Sequence, residues 1–109
     1  MKELKEHPEY VIALYLAKFS PVSFANLGYD SWTDCFNRCA DSLNVKPATI
    51  KNLRDAYDAV YPNERKGWYQ RPLRPLAADV FSEYDSFTED SLRSLCIEMI
   101  KAHEDQEST

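Results

Sequence analysis

The sequence predicts an all-α fold, arranged as a single-domain bundle of about five helices. Glycine, the residue that most weakens regular structure after proline, occurs only twice in 109 residues. No long stretch alternates polar with β-branched residues, as a half-buried strand would. A chain of this length can build one small core, so we expect one domain that spans residues 1–109.

The first helix is expected over residues 8–19, because a proline opens it and apolar side chains recur along one broad face. That face consists of Val11, Ile12, Leu14, Tyr15, Leu16 and Phe19. A short helical turn over about residues 22–27 should follow, and Gly28 can close it.

Two helices separated by a tight turn are predicted next. Ser31 with Asp34 three residues later resembles a capping box, which starts a helix near Trp32. That helix should end at Asn44, since asparagine tolerates the positive φ that a sharp turn requires. Pro47 suits the first turn of the second helix, which should run to about residue 61.

The apolar residues of this pair have the spacing of a helix-turn-helix motif. Ala40 allows the two helices to approach closely, and a shared core is expected from Cys39, Leu43, Val45, Ile50 and Leu53. The motif is a common way to place a helix in the major groove of DNA. The same geometry also arises in ordinary bundles, so it does not by itself indicate DNA binding.

A basic arm is predicted over about residues 62–75, where the chain reads PNERKGWYQRPLRP. Its basic side chains could pair with phosphates, Gln70 could bond a base edge or sugar, and the aromatic residues could stack on a base. The structural alternative is that Trp68 anchors the arm on the core and that RPLRP forms a stiff polyproline-like strap.

The C-terminal third is expected to contain two more helices. One should span about residues 76–84, and Thr88 should cap another whose apolar stripe continues to about His103. This stripe is formed by Leu92, Leu95, Cys96, Met99 and Ile100. The tail over about residues 104–109 should be frayed.

Charge is distributed unevenly around the total of -5. Residues 46–74 carry seven basic and three acidic side chains, whereas residues 75–109 carry nine acidic and two basic ones. A basic segment that coincides with the second motif helix and the arm is typical of phosphate binding. The candidate DNA-binding residues are Lys46, Thr49, Lys51, Asn52, Arg54, Arg65, Lys66, Trp68, Gln70, Arg71 and Arg74. Asp55 and Asp58 oppose this interpretation, and a charged helix face is also common on any protein surface.

Other classes of function find little support in the sequence. No phosphate-binding glycine loop and no nucleophile with a neighbouring base is recognisable, so we expect neither catalysis nor a cofactor. The three cysteines lack zinc-site spacing, so they should be small buried residues in a reducing compartment rather than metal ligands. Without an apolar run of membrane-spanning length or a secretory signal, the chain should be cytoplasmic and bind no membrane.

The succession of ALYLAKFS, LGYDSW, LNVKPATIKNLRDAYDAVYPNERKGWYQRPLRP and FTEDSLRSLCIEMI resembles a small helical module at the N-termini of prokaryotic restriction and defence-type proteins. The resemblance spans most of the chain, and it is sharpest where the helix-turn-helix joins RKGWYQRPLR. It implies a DNA-recognition domain without catalysis, followed in those proteins by a nuclease or ATPase part. Because this sequence stops at Thr109, we expect a stand-alone relative, whether host or phage encoded.

The sequence therefore predicts a module that binds double-stranded DNA in a defence, counter-defence or regulatory setting. A single unit of this size would bind weakly, which favours a homodimer or a complex with a partner nuclease or ATPase. The main alternative is a non-catalytic adaptor or inhibitor that binds a partner nuclease. A weaker alternative is an acidic DNA mimic, but the basic arm is inconsistent with that role.

Overall fold

Helix α1 (Pro8–Lys18) lies at the centre of the fold. The structure, a computed structural model, describes residues 7–19, 23–58 and 75–107. All residues of α1 from Val11 to Ala17 are buried, and the helix packs against each of the other described helices. A helix that is apolar on every side is stable only when neighbours cover its whole circumference. The predicted apolar face is thus one side of a helix whose middle is buried all round, whereas Phe19 follows the helix as its C-cap and is partly buried.

Six helices make up the described part of the chain, which contains no strand, and the predicted all-α class is confirmed. The sixth helix, beyond the five expected, is a single turn within the predicted short helical segment. It is followed by Gly28, whose φ of 94° is readily adopted by glycine. The helices after α1 are α2 (Ser23–Asn26), α3 (Trp32–Leu43), α4 (Pro47–Asp58), α5 (Pro75–Tyr84) and α6 (Glu89–Glu107).

Side-chain caps begin α3 and α6, as the sequence predicts. The Ser31 hydroxyl accepts a hydrogen bond of 3.0 Å from the Asp34 backbone N–H. The Asp34 carboxylate accepts from the Asp30 N–H rather than from that of Ser31, so the capping box is closed one residue earlier than in the usual form. At α6, the Thr88 hydroxyl accepts from the Ser91 N–H at 3.2 Å. These bonds satisfy backbone donors that have no partner within the helix.

The chain leaves α3 through a turn at Asn44, which has the left-handed conformation with φ 58° and ψ 44°. The Val45 N–H donates to the Ala40 carbonyl at 2.9 Å, and the Asn44 N–H donates to the Asp41 carbonyl at 3.3 Å. This pair of bonds is a Schellman motif, which satisfies the last carbonyls of a helix. The predicted turn residue and its positive φ are confirmed, and α4 begins at Pro47 as expected.

The core side chains predicted for α3 and α4 lie in the core. Ala40 is 1% exposed on α3, which contacts both α4 and α6. The five predicted core residues divide into Cys39, Leu43 and Ile50, which are buried, and Val45 and Leu53, which are partly buried and pack against the cluster.

Hydrogen bonds join α1 to the start of α6 and to the turn before it. The Tyr15 hydroxyl donates to the Glu89 carboxylate at 2.6 Å. The Lys18 ammonium donates to the backbone carbonyls of Asp85 and Phe87 and lies 3.7 Å from the Asp85 carboxylate. The central helix therefore fixes the direction in which α5 ends and α6 begins.

The end of α6 differs from the sequence-based expectation, and the predicted arm cannot be compared with the structure. Helix α6 continues to Glu107, whereas its apolar stripe predicted an end near His103. The stripe ends earlier than the helix because the final turns carry polar residues, which a helix can expose to water. The predicted arm over residues 62–75 lies outside the described residues except for Pro75, which begins α5. The prediction of a frayed tail remains a prediction.

Candidate nucleic-acid interface

The N-terminal half of α4 has an exposed side. Ala48, Lys51 and Asn52 are exposed, and their spacing of three and four residues places them on the same side of the helix. Lys46, directly before the helix, is exposed too, while Thr49 is half-buried. We call Lys46, Ala48, Lys51 and Asn52 the α4 face.

The opposite side of α4 fixes the helix on the core. Ile50 and Tyr57 are fully buried, and α4 packs chiefly against the central helix α1. The Tyr57 hydroxyl donates to the Ala77 carbonyl of α5 at 3.0 Å. Buried residues and the Tyr57 hydrogen bond therefore fix one side of α4 on the core, and its opposite side is exposed.

Arg54 does not lie on the exposed side of α4, where the sequence pattern placed it. It is 8% exposed, and its guanidinium lies 4.6 Å from the centre of the Trp32 ring and 5.1 Å from that of Phe36. Both aromatic residues belong to α3, and their rings lie 5.7 Å apart. A flat, weakly hydrated guanidinium stacks well on aromatic faces, so burial is possible where a lysine would be costly.

The partner of Arg54 is the neighbouring Asp55. The guanidinium lies 3.0 Å from the Asp55 carboxylate, whose side chain is 14% exposed. The Arg54 Nε is buried and has no hydrogen-bond partner among the described residues. Arg54 and Asp55, both on α4, therefore form an ion pair that packs against the aromatic residues of α3. The negative charge of Asp55 is thus compensated and does not oppose the positive charge of the α4 face.

The basic side chains of the α4 face differ from most others in the described part of the chain. Neither Lys46 nor Lys51 has an ion-pair partner there, whereas four other basic residues do. Those pairs are Lys18 with Asp85, Arg38 with Asp34, Arg54 with Asp55, and Arg93 with Glu89 and Asp90. The first turn of α4 also contains no acidic residue, so the positive end of its dipole is not neutralised there.

The remaining sequence-predicted contacts cannot be placed relative to this face. Arg65, Lys66, Trp68, Gln70, Arg71 and Arg74 lie outside the described residues. Of the eleven candidate residues, the structure thus places Lys51 and Asn52 on one exposed side of α4, with the exposed Lys46 directly before the helix, Thr49 half-buried and Arg54 buried.

The aromatic cluster of Phe24, Trp32 and Phe36, of which Trp32 and Phe36 lie against Arg54, was not predicted from the sequence. Phe24 and Trp32 have ring centres 5.0 Å apart, which connects the short helix α2 to the pair α3 and α4. One signal was present, since Trp32 and Phe36 are four residues apart and must share a helix face. Nothing in the sequence identified Arg54 as the residue that covers that face.

The three cysteines are buried and free, as expected of small apolar residues. Burial, and secondarily the neighbouring Cys39, raises the pKa of the Cys35 thiol to about 12. The pKa of Cys96 is also raised well above its usual value by burial. Within the described ranges, no group of three or more histidine, cysteine, aspartate or glutamate side chains is arranged to hold a metal ion.

Two further findings do not concern the α4 face. Among the described residues, no helix combines the length and apolar character that a bilayer crossing demands. The chain matches no protein-family model, no curated protein and no solved structure.

Proposed function

We propose that the chain is a double-stranded DNA-binding module in which α3 and α4 form a helix-turn-helix and α4 enters the major groove. The observation that carries the proposal is a pair of exposed lysines of the α4 face, Lys46 and Lys51, that have no ion-pair partner in the described part of the chain, next to an acid that Arg54 already compensates. Ammonium groups free of internal partners can neutralise phosphates at a low desolvation cost.

The arrangement of α3 and α4 supports this role. The Schellman turn at Asn44 connects the two helices, and the N-terminal half of α4 carries the exposed residues Ala48, Lys51 and Asn52. In helix-turn-helix proteins, the N-terminal residues of the second helix contact base edges. The basic side chains of residues 65–74 supply further phosphate contacts in this proposal, and the resemblance to restriction and defence-type modules supports a prokaryotic defence, counter-defence or regulatory setting.

A salt titration with matched lysine variants tests the proposal. Each phosphate contact contributes about 0.9 to the slope of log affinity against log salt concentration on duplex DNA. We expect Lys51→Gln to weaken binding to all duplexes and to reduce that slope by about one unit. Lys101→Gln is the control, since Lys101 is an exposed lysine of α6 far along the chain from the α4 face.

Two results would count against DNA binding through α4. Equal effects of Lys51→Gln and Lys101→Gln would show that the lysine acts only through net charge. Failure of the parent protein to bind duplex DNA at low salt would exclude the DNA-binding function itself and favour the adaptor that binds a partner nuclease.

A further inference from the structure

The centre of the α4 face is uncharged and made of two short side chains. Ala48 and Asn52 are exposed and one helical turn apart, so they lie next to each other on the surface. Lys51 lies to one side of Ala48, and Asn52 lies to the other. The Asn52 side chain has no hydrogen-bond partner among the described residues. Two groups that could read a base therefore lie beside Lys51, which could hold a phosphate, and Lys46 directly precedes the helix.

The chemistry of these two side chains selects one kind of base pair. A carboxamide donates one hydrogen bond and accepts another, which matches the N7 acceptor and N6 donor of adenine in the major groove. An alanine methyl group makes apolar contact with the C5-methyl group of thymine. Guanine presents two acceptors and cytosine a single donor, and neither pattern fits a carboxamide beside a methyl group as well.

The size of the side chains agrees with direct contact. A helix approaches base edges closely only where its outermost residues are short, and Ala48 projects a single methyl group from the exposed centre of the face. The longer side chains of Lys51, beside Ala48, and of Lys46, directly before the helix, can reach outward to phosphates. The Asp55 carboxylate, next along the same side of α4, is drawn to Arg54 and only 14% exposed.

We propose that α4 reads adjacent A·T base pairs in the major groove, with Asn52 bound to an adenine and the Ala48 methyl group against a thymine methyl group. This inference depends on the DNA-binding function proposed above and specifies the target that the same surface recognises. Lys46 and Lys51 contribute affinity for any duplex, while Ala48 and Asn52 contribute the preference for sequence.

The test combines selection with base analogues that each remove one group. Parent protein is first used to select binders from random duplexes, and we expect a common element that contains adjacent A·T pairs. Replacing the critical adenine with 7-deazaadenine removes the N7 acceptor, which should weaken parent binding about tenfold. Replacing the critical thymine with uracil removes one methyl group, which should weaken it about fourfold.

Variants of the protein assign each effect to its residue. Asn52→Ala should bind the adenine and 7-deazaadenine duplexes equally, and Ala48→Gly should bind the thymine and uracil duplexes equally. Asn37→Ala is the matched control, because Asn37 is an exposed asparagine of α3, and it should retain both preferences. Thermal melting of each variant checks that the fold is intact, and Ala48→Ser replaces Ala48→Gly if glycine destabilises the helix.

The outcomes separate this inference from the broader function. Three results would overturn A·T recognition but leave DNA binding intact. The parent protein could bind duplexes without selecting a sequence, it could select a G·C element, or the effects of the base analogues could persist in Asn52→Ala and Ala48→Gly. Absence of any duplex binding by the parent protein would overturn both.

Discussion

The guanidinium of Arg54 lies 4.6 Å from the centre of the Trp32 ring and thereby joins α4 to α3. The contact is buried, since Arg54 is only 8% exposed. It also holds Asp55, 3.0 Å from the guanidinium, away from solvent. A residue that the sequence suggested as a DNA contact is thus a structural link between the two helices on which the proposed function depends.

Removing this link should destabilise the protein. We expect Arg54→Ala to lower the free energy of unfolding by about 2 to 3 kcal/mol, because the stacking is lost and Asp55 keeps a partly buried charge without its partner. Arg54→Lys should be intermediate, since an ammonium keeps the charge but cannot stack as a plane. Urea unfolding measures both losses.

The matched control for Arg54 is Arg38→Ala. Arg38 also lies over an aromatic ring, 5.1 Å from the centre of Tyr29, and pairs with Asp34, but its side chain is 60% exposed. An exposed pair of this kind contributes only about 0.5 kcal/mol. Equal losses for the two arginine variants would contradict a special role for the buried contact.

The turn at Asn44 gives a prediction in which two substitutions have opposite effects. Asn44→Ala should destabilise by about 1 kcal/mol, because alanine resists the left-handed conformation that Asn44 adopts at φ 58°. Asn44→Gly should leave stability unchanged or slightly higher, since glycine adopts that conformation freely. Thermal unfolding compares them, and a destabilisation by glycine as large as that by alanine would mean that the asparagine side chain itself is required.

Ala40 provides a test of helix packing. It is 1% exposed on α3, so Ala40→Leu should overpack the core and lower the free energy of unfolding by about 1 to 3 kcal/mol. Ala56→Leu is the control because Ala56 is an exposed residue of α4, where the larger side chain has room. Melting temperatures equal to the parent value for both variants would contradict a close approach of the helices at Ala40.

Alkaline pH should weaken the fold through the buried thiols. The pKa of Cys35 is raised to about 12 by burial, while an unfolded cysteine ionises near pH 8.5. Between these values the unfolded chain loses a proton that the native chain keeps. The contribution of Cys35 to the free energy of unfolding is therefore intact below about pH 8.5. It is lost as pH rises towards the native pKa, at up to about 1.4 kcal/mol per pH unit.

Urea unfolding measures this loss at pH 8.0, 8.5, 9.0 and 9.5. These pH values lie mostly below the ionisation of tyrosine at about pH 10. The free energy of unfolding of Cys35→Ala should fall less steeply with pH than that of the parent protein, because one titrating group has been removed. The native thiols should also resist a thiol reagent at pH 8 until urea is added. A parent and a variant with identical pH slopes would show that Cys35 does not ionise differently in the two states.

The local features of this fold were predictable from the sequence because short-range interactions decide them. Ser31 and Thr88 cap their helices through hydroxyl groups that reach the next turn, and Asn44 adopts the left-handed turn. Apolar periodicity located the core residues of α3 and α4 for the same reason, since a helix fixes which side chains share a face. The all-α class follows from these local choices taken together.

The position of Arg54 was decided only by the tertiary structure. Charged residues are usually exposed to water, so the sequence predicts an exposed Arg54. Periodicity cannot reveal that Trp32 and Phe36 of another helix provide an aromatic surface for its guanidinium. Likewise, the sequence gives the number of basic residues but not which of them have internal partners. Tertiary packing pairs Lys18 with Asp85 across the fold and leaves Lys46 and Lys51 without a described partner, because ion pairing depends on distances between groups that are far apart in the chain.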